Sequence, residues 1–177
     1  MAEMSQPSKE DKLVQQIRSK FEIAGNVQRD RRVWATVAKD KLIPLCRFAR
    51  ESGFEHLSAI SVTDWPQEGS FELTYHLWSY STKILLTVKT KIDRADPQID
   101  SAISIFQENA QVHERELHEL FGVQFKGNRD MAPLFLEDWD GPPPFRKDVN
   151  WRDYVRQRHY DKADDGERPY WGPRDNS

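Results

Sequence analysis

The amino-acid sequence predicts an α+β fold, in which helices pack on one side of a mostly antiparallel sheet and an extended C-terminal arm follows. Two neighbouring segments, 71–77 and 84–92, alternate apolar with polar residues, which is the pattern of half-buried strands. Segments 13–21 and 42–49 instead repeat apolar residues at helical spacing. Six of the ten prolines lie between positions 133 and 173, where regular core elements are therefore disfavoured.

Three helices are predicted from apolar residues that recur every three or four positions. The first covers Lys9–Glu22 and follows residues 1–8, whose polar composition predicts disorder. The second begins near Asp40, which is a candidate N-terminal cap, and ends at Gly53. The third covers about Asn109–Phe121, and the glycine that follows it fits a C-terminal cap.

Four strands are predicted before the third helix. The first two cover Arg32–Ala38 and Leu57–Thr63. The two alternating segments come next, and we expect them to pair as an antiparallel hairpin because only Ser79–Lys83 separates them. The polar stretch Thr90–Asp100 is predicted to be a loop, and Ser101–Phe106 a short strand or a turn that leads into the third helix.

Composition excludes several classes of function. The chain has 177 residues and suits one domain, or one domain plus an arm. With 26 Lys and Arg against 29 Asp and Glu, no single sign of charge covers it, so nucleic-acid binding is not supported. A single cysteine, Cys46, excludes an internal disulfide and an all-cysteine metal or iron–sulfur site. No run approaches the ~18 apolar residues of a membrane span, and we expect a soluble, intracellular chain.

The predicted core domain covers residues 9–130, and residues 131–177 form the predicted Pro- and aromatic-rich arm. The arm has too few aliphatic residues to build a core of its own. Its aromatic side chains alternate with arginines, a composition typical of interface anchors. The aromatic residues after position 141 are Phe145, Trp151, Tyr154, Tyr160, Tyr170 and Trp171. We expect an arm that lies on a partner; an arm folded back on its own domain, or a disordered one, is the alternative.

A dense set of glutamates lies on the third helix. Ala110, Leu117 and Phe121 form its apolar stripe, and Glu114 fills the position between them. Glu114 is therefore expected to point inward or into an interface, where it needs a cation or hydrogen-bond donors. An ion pair is the favoured interpretation, with Arg115, Arg146 and Lys147 as the candidate cations. Glu116 lies off the stripe.

Two histidines on the same helix raise the alternative of a metal-dependent hydrolase that uses His113, His118 and the glutamates. A zinc-protease helix places two histidines four residues apart, on one face. Here they are five apart, which puts them about 140° apart around the helix. A metal site at this position is therefore disfavoured, and no nucleophile or second catalytic group accompanies the carboxylates.

The segment His113–Gly127 resembles the signature of the 30 kDa subunit of respiratory complex I, which is the C-type subunit of bacterial NADH:quinone oxidoreductase. The resemblance continues through Leu136–Trp139 and Pro144–Asp148, and covers about residues 30–150. The sequence departs from the family pattern at 127–129 and 131–134. The motif and interface residues that follow from the resemblance and from the arm are Glu114, Arg115, Glu116, Glu119, Gly122, Gly127, Asp138, Arg146, Lys147, Asp148, Trp151 and Trp171.

The resemblance implies a scaffold subunit in the peripheral arm of a membrane-bound, ion-translocating oxidoreductase that passes electrons to quinone. Such a subunit holds no redox centre and packs against a large catalytic subunit and an iron–sulfur small subunit. Iron–sulfur clusters, and in a hydrogenase a NiFe centre, would be in those partners. The subunit would lie on the cytoplasmic side of the cell membrane, attached through its partners. The same family occurs in membrane-bound [NiFe] hydrogenases, formate hydrogenlyase and F420H2 dehydrogenase, which remain alternative parent complexes.

Overall fold

The computed structural model describes residues 6–21, 23–136 and 139–157. In chain order the helices and strands are α1 (Lys9–Phe21), β1 (Ala24–Arg29), β2 (Arg32–Val37), α2 (Lys39–Glu51), β3 (His56–Trp65), β4 (Ser70–Trp78), β5 (Leu85–Asp93), β6 (Gln98–Asp100), α3 (Ile103–Phe121), β7 (Gln124–Lys126) and α4 (Trp151–Val155). A short 3-10 turn, Pro66–Glu68, joins β3 to β4.

Five strands form the main sheet in the order β1-β2-β5-β4-β3. The predicted hairpin of β4 and β5 is confirmed, with Tyr75 opposite Val88. Three of the four strand pairs are antiparallel, and β2 pairs with β5 in parallel. β6, which precedes α3 in the chain, and β7, which follows it, form a separate parallel pair. The strands β1, β6 and β7 were not predicted, since each is short and only partly apolar.

One face of the sheet carries the core. Phe71, Leu73, Tyr75 and Leu77 alternate along β4 and are all fully buried. The register places them beside alternate residues of β3 and β5, so the apolar rows of neighbouring strands coincide. These rows join the buried residues of α1, α2 and α3 in one cluster. On the opposite face, side chains such as that of Ser61 are exposed. The predicted fold class is therefore confirmed.

The helices begin and end for local reasons that the sequence revealed only in part. Ser8 and Asp11 cap α1 reciprocally: the Asp11 N–H donates to Ser8 Oγ at 3.0 Å, and the Ser8 N–H donates to Asp11 Oδ2 at 3.2 Å. Asp40 was expected to cap α2, but this was wrong: Ala38 is the cap residue, and Asp40 lies in the first turn. Gly53 follows α2 with φ +89°, as its predicted role at the helix end requires.

α3 is longer than predicted and is interrupted. It begins at Ile103 rather than near Asn109, and Phe106 breaks the helical geometry with φ −125° and ψ 49°. Phe106 nevertheless belongs to the buried core. The predicted loop Thr90–Asp100 is also partly regular, because β5 extends to Asp93 before β6 begins. The predicted disorder of residues 1–8 falls largely outside the described residues.

Candidate functional site: the signature segment

The Glu114 carboxylate is fully buried and binds three hydrogen-bond donors. Ser101 Oγ donates at 2.6 Å, the Ala102 N–H at 2.7 Å and Asn128 Nδ2 at 3.0 Å. The inward position was predicted, but the favoured ion pair was wrong, since neutral donors surround the carboxylate and Arg115 turns elsewhere. Burial raises the pKa of Glu114, and the three hydrogen bonds oppose that shift.

These donors all follow the C-terminal end of the parallel β6–β7 pair. Ser101 and Ala102 follow β6, while Asn128 follows β7 by way of Gly127. Gly127 adopts φ +97°, which a residue with a side chain rarely does, and this turn brings Asn128 back toward α3. Glu114 therefore connects two segments, the residues just before α3 and the loop that follows β7. Its role in the described structure is to hold these two segments together by buried hydrogen bonds.

Arg115 and Glu119 lie one turn apart on α3 and bind the chain that returns over the helix. The Arg115 guanidinium donates to the carbonyls of Ala132 and Pro133, at 2.9 Å each. The Glu119 carboxylate accepts from three successive backbone N–H groups, at 3.3, 3.0 and 2.6 Å; these belong to Leu134, Phe135 and Leu136. A ring of consecutive N–H groups is a typical anion-binding arrangement. The two charged side chains thus fix a segment that has no helix or strand.

Gly122 is the C-terminal cap of α3, as predicted, and the segment that contains Pro143 and Arg146 packs against it. Its φ is +78°, and a Cβ at this position would lie 3.0 Å from Pro143 Cγ and 3.1 Å from Arg146 Nη2. Arg146 Nε donates to the Phe121 carbonyl at 2.8 Å, and the Phe145 N–H donates to the Leu120 carbonyl at 3.0 Å. These bonds satisfy carbonyls that the last helical turn leaves free. Arg146, another candidate partner of Glu114, instead caps the helix.

Arg94 connects the sheet to the end of the signature. Its guanidinium binds both oxygens of Asp64, at 2.7 and 3.1 Å, and both oxygens of Asp148, at 3.0 and 2.5 Å. The Lys147 N–H also donates to Asp64, at 2.8 Å. We call these residues, Asp64, Arg94, Lys147 and Asp148, the Arg94 cluster. The Lys147 ammonium lies 5.6 Å from the Trp65 ring rather than beside Glu114.

The two carboxylates of the Arg94 cluster are held ionised. Burial alone would raise the pKa of Asp64, but hydrogen bonds from Arg94 and Lys147 outweigh it and hold that pKa below its ordinary value. The Arg94 hydrogen bonds also lower the pKa of Asp148. Sequence reasoning missed Asp64 and Arg94. The available signal was the alternation Ile60, Val62, Asp64, which places a carboxylate on the buried face of β3.

Three phenylalanine rings pack next to the Arg94 and Arg146 guanidinium groups and add apolar contacts between the sheet, α3 and the segment after it. Phe121 packs edge-on against Phe71 at 6.1 Å and against Phe145 at 5.9 Å. Arg94 and Arg146 both lie over the Phe71 ring, at 5.6 and 5.2 Å. The described part of the predicted arm, up to residue 157, thus contacts its own domain through backbone, charge and ring contacts.

The other candidate residues occupy more open positions. Glu116 lies 3.9 Å from His113, and its side chain is partly exposed. Trp151 begins α4 and is 40% exposed, with Arg152 over its ring at 4.6 Å. Asn150 caps α4 by accepting from the Asp153 N–H. Asp138 and Trp171 lie outside the described residues.

The histidines and the cysteine occupy separate environments. His118 Nδ1 lies 2.9 Å from the Val123 carbonyl, whereas His113 faces Glu116. Within residues 6–21, 23–136 and 139–157, no three His, Cys, Asp or Glu side chains gather in a way that would hold a metal ion. Cys46 is buried, and that burial raises the pKa of its thiol to about 12. No helix in the described part of the chain is long and apolar enough to cross a membrane.

Comparison with known proteins gives a consistent result. Residues 35–155 match the family described as "Respiratory-chain NADH dehydrogenase, 30 Kd subunit". The C-type subunit of F420H2 dehydrogenase from Methanosarcina mazei is 39% identical over 66% of this chain and 75% of that protein. The C-type subunit of NADH-quinone oxidoreductase from Geobacter sulfurreducens is 35% identical over 66% of this chain and 73% of that protein.

Solved structures extend the match. A chain of the membrane-bound sulfane sulfur reductase, described as an archaeal respiratory membrane complex, superposes with a TM-score of 0.78 at 35% identity. The match covers 86% of this chain and 92% of that chain. The trypsin-resistant fragment of Nqo5 shares the fold, with a TM-score of 0.58 at 19% identity over 67% of this chain and 96% of that chain. The protein therefore belongs to the family of the 30 kDa subunit of respiratory-chain NADH dehydrogenase.

Proposed function

We propose that this chain is a non-catalytic scaffold subunit in the peripheral arm of a membrane-attached, ion-translocating oxidoreductase of the complex I superfamily. In this role it packs against a large catalytic subunit and an iron–sulfur small subunit. It lies on the cytoplasmic side of the membrane and is attached through them. The observation that carries the proposal is the 35%-identical match to a chain of an archaeal respiratory membrane complex, which leaves only a small part of either chain unmatched.

The geometry of the signature supports a structural role. Glu114, Arg115, Glu119 and Arg146 all bind groups of their own chain. An enzyme active site instead needs polar groups that converge on a space where a substrate can react. The charged signature residues are used to hold an irregular segment in one conformation, which is what a rigid docking surface needs.

We place the electron carriers in the partner subunits. A cluster held by cysteine thiolates needs several cysteines, and this chain has one. That cysteine is buried and has a thiol pKa raised to about 12, so thiolate chemistry is disfavoured there as well. Quinone is the proposed electron acceptor of the parent complex.

A second candidate is a parent complex of the F420H2 dehydrogenase or [NiFe] hydrogenase type, including formate hydrogenlyase. The F420H2 dehydrogenase type is favoured by the 39% identity to the C-type subunit of such an enzyme. The two candidates give this chain the same structural role and differ in the chemistry of its partners. The large subunit distinguishes a hydrogenase-type parent from a quinone reductase, because a hydrogenase carries paired cysteine ligands for its metal centre.

Affinity purification tests the proposal. The tagged chain is purified from detergent-solubilised membranes of its native host, and the co-purifying proteins are identified by mass spectrometry. We expect a large catalytic subunit, an iron–sulfur small subunit and membrane subunits in constant ratio. Paired cysteine motifs in the large subunit would assign the hydrogenase-type parent. Recovery of the chain alone would contradict the proposed function, and metal analysis of that material would then test the hydrolase alternative.

A further inference from the structure

We propose that the groove between α1 and α2 binds an acidic amphipathic segment of another subunit of the parent complex. This inference rests on the proposed function and adds the chemistry of one contact to it. At one end of the groove, Lys41 Nζ, in the first turn of α2, donates to the carbonyl of Phe21, the last residue of α1, at 2.9 Å. At the other end, the first two turns of α1 and Ser52, which follows α2, line one pocket. The two helices therefore lie side by side and run in opposite directions.

One edge of α1 carries a row of lysines that faces α2. Lys9, Lys12, Gln16 and Lys20 lie within about 80° of one another around the helix, and the row is about 16 Å long. Lys20 Nζ lies 4.5 Å from the centre of the Phe48 ring of α2, which fixes the direction of this edge. The three lysines of the row are exposed. Together with the lysine from the first turn of α2, we call them the groove lysines: Lys9, Lys12, Lys20 and Lys41.

The groove lysines lack an acidic partner in the described part of the chain. None of the ion pairs within residues 6–21, 23–136 and 139–157 includes any of them. The two carboxylates of α1 bind elsewhere: Glu10 accepts from the Arg31 N–H at 3.0 Å, and Asp11 accepts from Ser8 Oγ at 2.7 Å. Positive charges that line one groove without compensation attract an anionic ligand.

The same groove offers apolar sites. A pocket of about 190 Å³ opens beside the start of α1, and the buried side chains of Leu13, Phe54 and Ile84 line it. Small-molecule pockets begin at about 300 Å³, so this volume suits a single apolar side chain. Near the other end, the Phe48 ring is half-buried under the Lys20 ammonium. A ligand that matches the groove therefore combines acidic with apolar groups.

This combination favours a polypeptide over other anions. A compact anion such as inorganic phosphate cannot span a row of lysines about 16 Å long. A bilayer surface is flat and meets lysine tips rather than a pocket between two helices, and a nucleic-acid strand supplies phosphates without aliphatic side chains. A second copy related by a two-fold axis would place these lysines against their own counterparts. An acidic helix with one apolar face meets both requirements and suits a groove between helices.

Fluorescence anisotropy with the full-length chain tests the groove. The probe is a peptide of four Leu-Glu-Glu-Leu repeats, and poly-L-glutamate is the comparison that lacks apolar groups. We expect Lys12→Glu combined with Lys20→Glu to weaken peptide binding at least about tenfold, because two attractions become repulsions. The matched control is Lys126→Glu combined with Arg129→Glu, an equal change of charge on exposed residues outside the groove, which should leave binding unchanged.

Two further variants keep this test decisive. Ser52→Phe places a ring at the exposed rim of the pocket without changing the charge, so it should weaken peptide binding but not binding of poly-L-glutamate. Lys12→Gln combined with Lys20→Gln should give a smaller loss than charge reversal, and it replaces that variant if reversal lowers the unfolding temperature. Binding of poly-L-glutamate or anionic vesicles as tight as that of the peptide, or no loss with any groove variant, would overturn the inference.

Carbodiimide cross-linking of the tag-purified complex identifies the natural occupant, because it joins a lysine amine to a carboxylate in contact with it. We expect the groove lysines to be linked to Asp or Glu of another subunit, in a segment whose apolar residues recur at helical spacing. Links to carboxylates of this chain or of a second copy, or no links at all, would overturn the inference. If the tag recovers no complex, the proposed function fails, whereas peptide binding by the isolated chain still tests the groove.

Discussion

The Asp64 carboxylate accepts a hydrogen bond from the Lys147 N–H, 83 residues further along the chain, at 2.8 Å. The same carboxylate binds Arg94, which in turn binds Asp148. The end of the family signature is therefore anchored to the end of a core strand. This connection explains how a segment with little regular structure keeps a defined position on the domain.

Replacement of Arg94 tests that connection. We expect Arg94→Met to lower the free energy of unfolding by about 3 kcal/mol, because Asp64 remains buried without its charged partner. Urea denaturation gives the value. Lys91→Met is the control: Lys91 pairs with Glu68 at 2.5 Å on the exposed surface, and its loss should leave stability nearly unchanged. Equal effects of the two substitutions would contradict the role given to Arg94.

Gly122 tests whether the segment around Arg146 is seated on the end of α3. Gly122→Ala should cost about 3 kcal/mol, since the left-handed backbone is strained and the new methyl meets Pro143 and Arg146. Gly69→Ala has the same kind of backbone, with φ +59°, and open space around it, so it should cost only about 1 kcal/mol. The difference between the two Tm shifts isolates the contact. Similar shifts would mean that the segment does not cover Gly122.

Glu114 should make stability depend on pH in a definite direction. Its folded-state pKa is raised above the ordinary 4.5, mainly by burial. The folded state therefore binds the proton more tightly than the unfolded state does. The contribution of Glu114 to the free energy of unfolding is greatest below pH 4.5 and is lost as the pH rises through the folded-state pKa. Glu114→Gln lacks that titration. The unfolding free energy of the wild type relative to Glu114→Gln should fall as urea denaturation moves from about pH 4 toward neutrality; a constant or rising difference would contradict the assignment.

Cys46 should report global opening of the domain. Its thiol is buried, and burial raises the pKa of that thiol to about 12. In the folded state a reagent therefore cannot reach the sulfur, and the reactive thiolate is not formed near neutral pH. We expect labelling by a thiol reagent at about pH 8 to be at least about a thousandfold slower than in denaturant. Equally fast labelling in both conditions would show that the Cys46 thiol is accessible in the folded domain.

The sequence was sufficient for those parts of the fold in which one pattern dominates. Strict alternation of apolar and polar residues predicted β4 and β5, and the recurrence of Leu13, Ile17 and Phe21 at helical spacing predicted α1. It was insufficient where tertiary contacts outweigh local preference. β6 and β7 are three residues each and exist because they pair with each other, although α3 separates them in the sequence.

The candidate site shows the same division. The position of Glu114 on the apolar stripe predicted its burial, since helical spacing is a local property. Its partners could not be predicted, because Ser101 and Asn128 reach it through the folding of β6 and β7. The sequence positions of Arg115 and Glu119 likewise do not indicate which backbone carbonyls and N–H groups these side chains bind.

We propose that this chain works as a subunit of a membrane complex, and its size in solubilised membranes tests that role directly. Solubilised membranes from cells that contain the tagged chain would be separated by size, and the fractions probed for the tag and for iron–sulfur absorbance. We expect the chain to migrate with iron–sulfur proteins at a mass far above its own 20.8 kDa. A chain that migrates at its own mass, away from every iron–sulfur protein, would contradict a role as a subunit of such a complex.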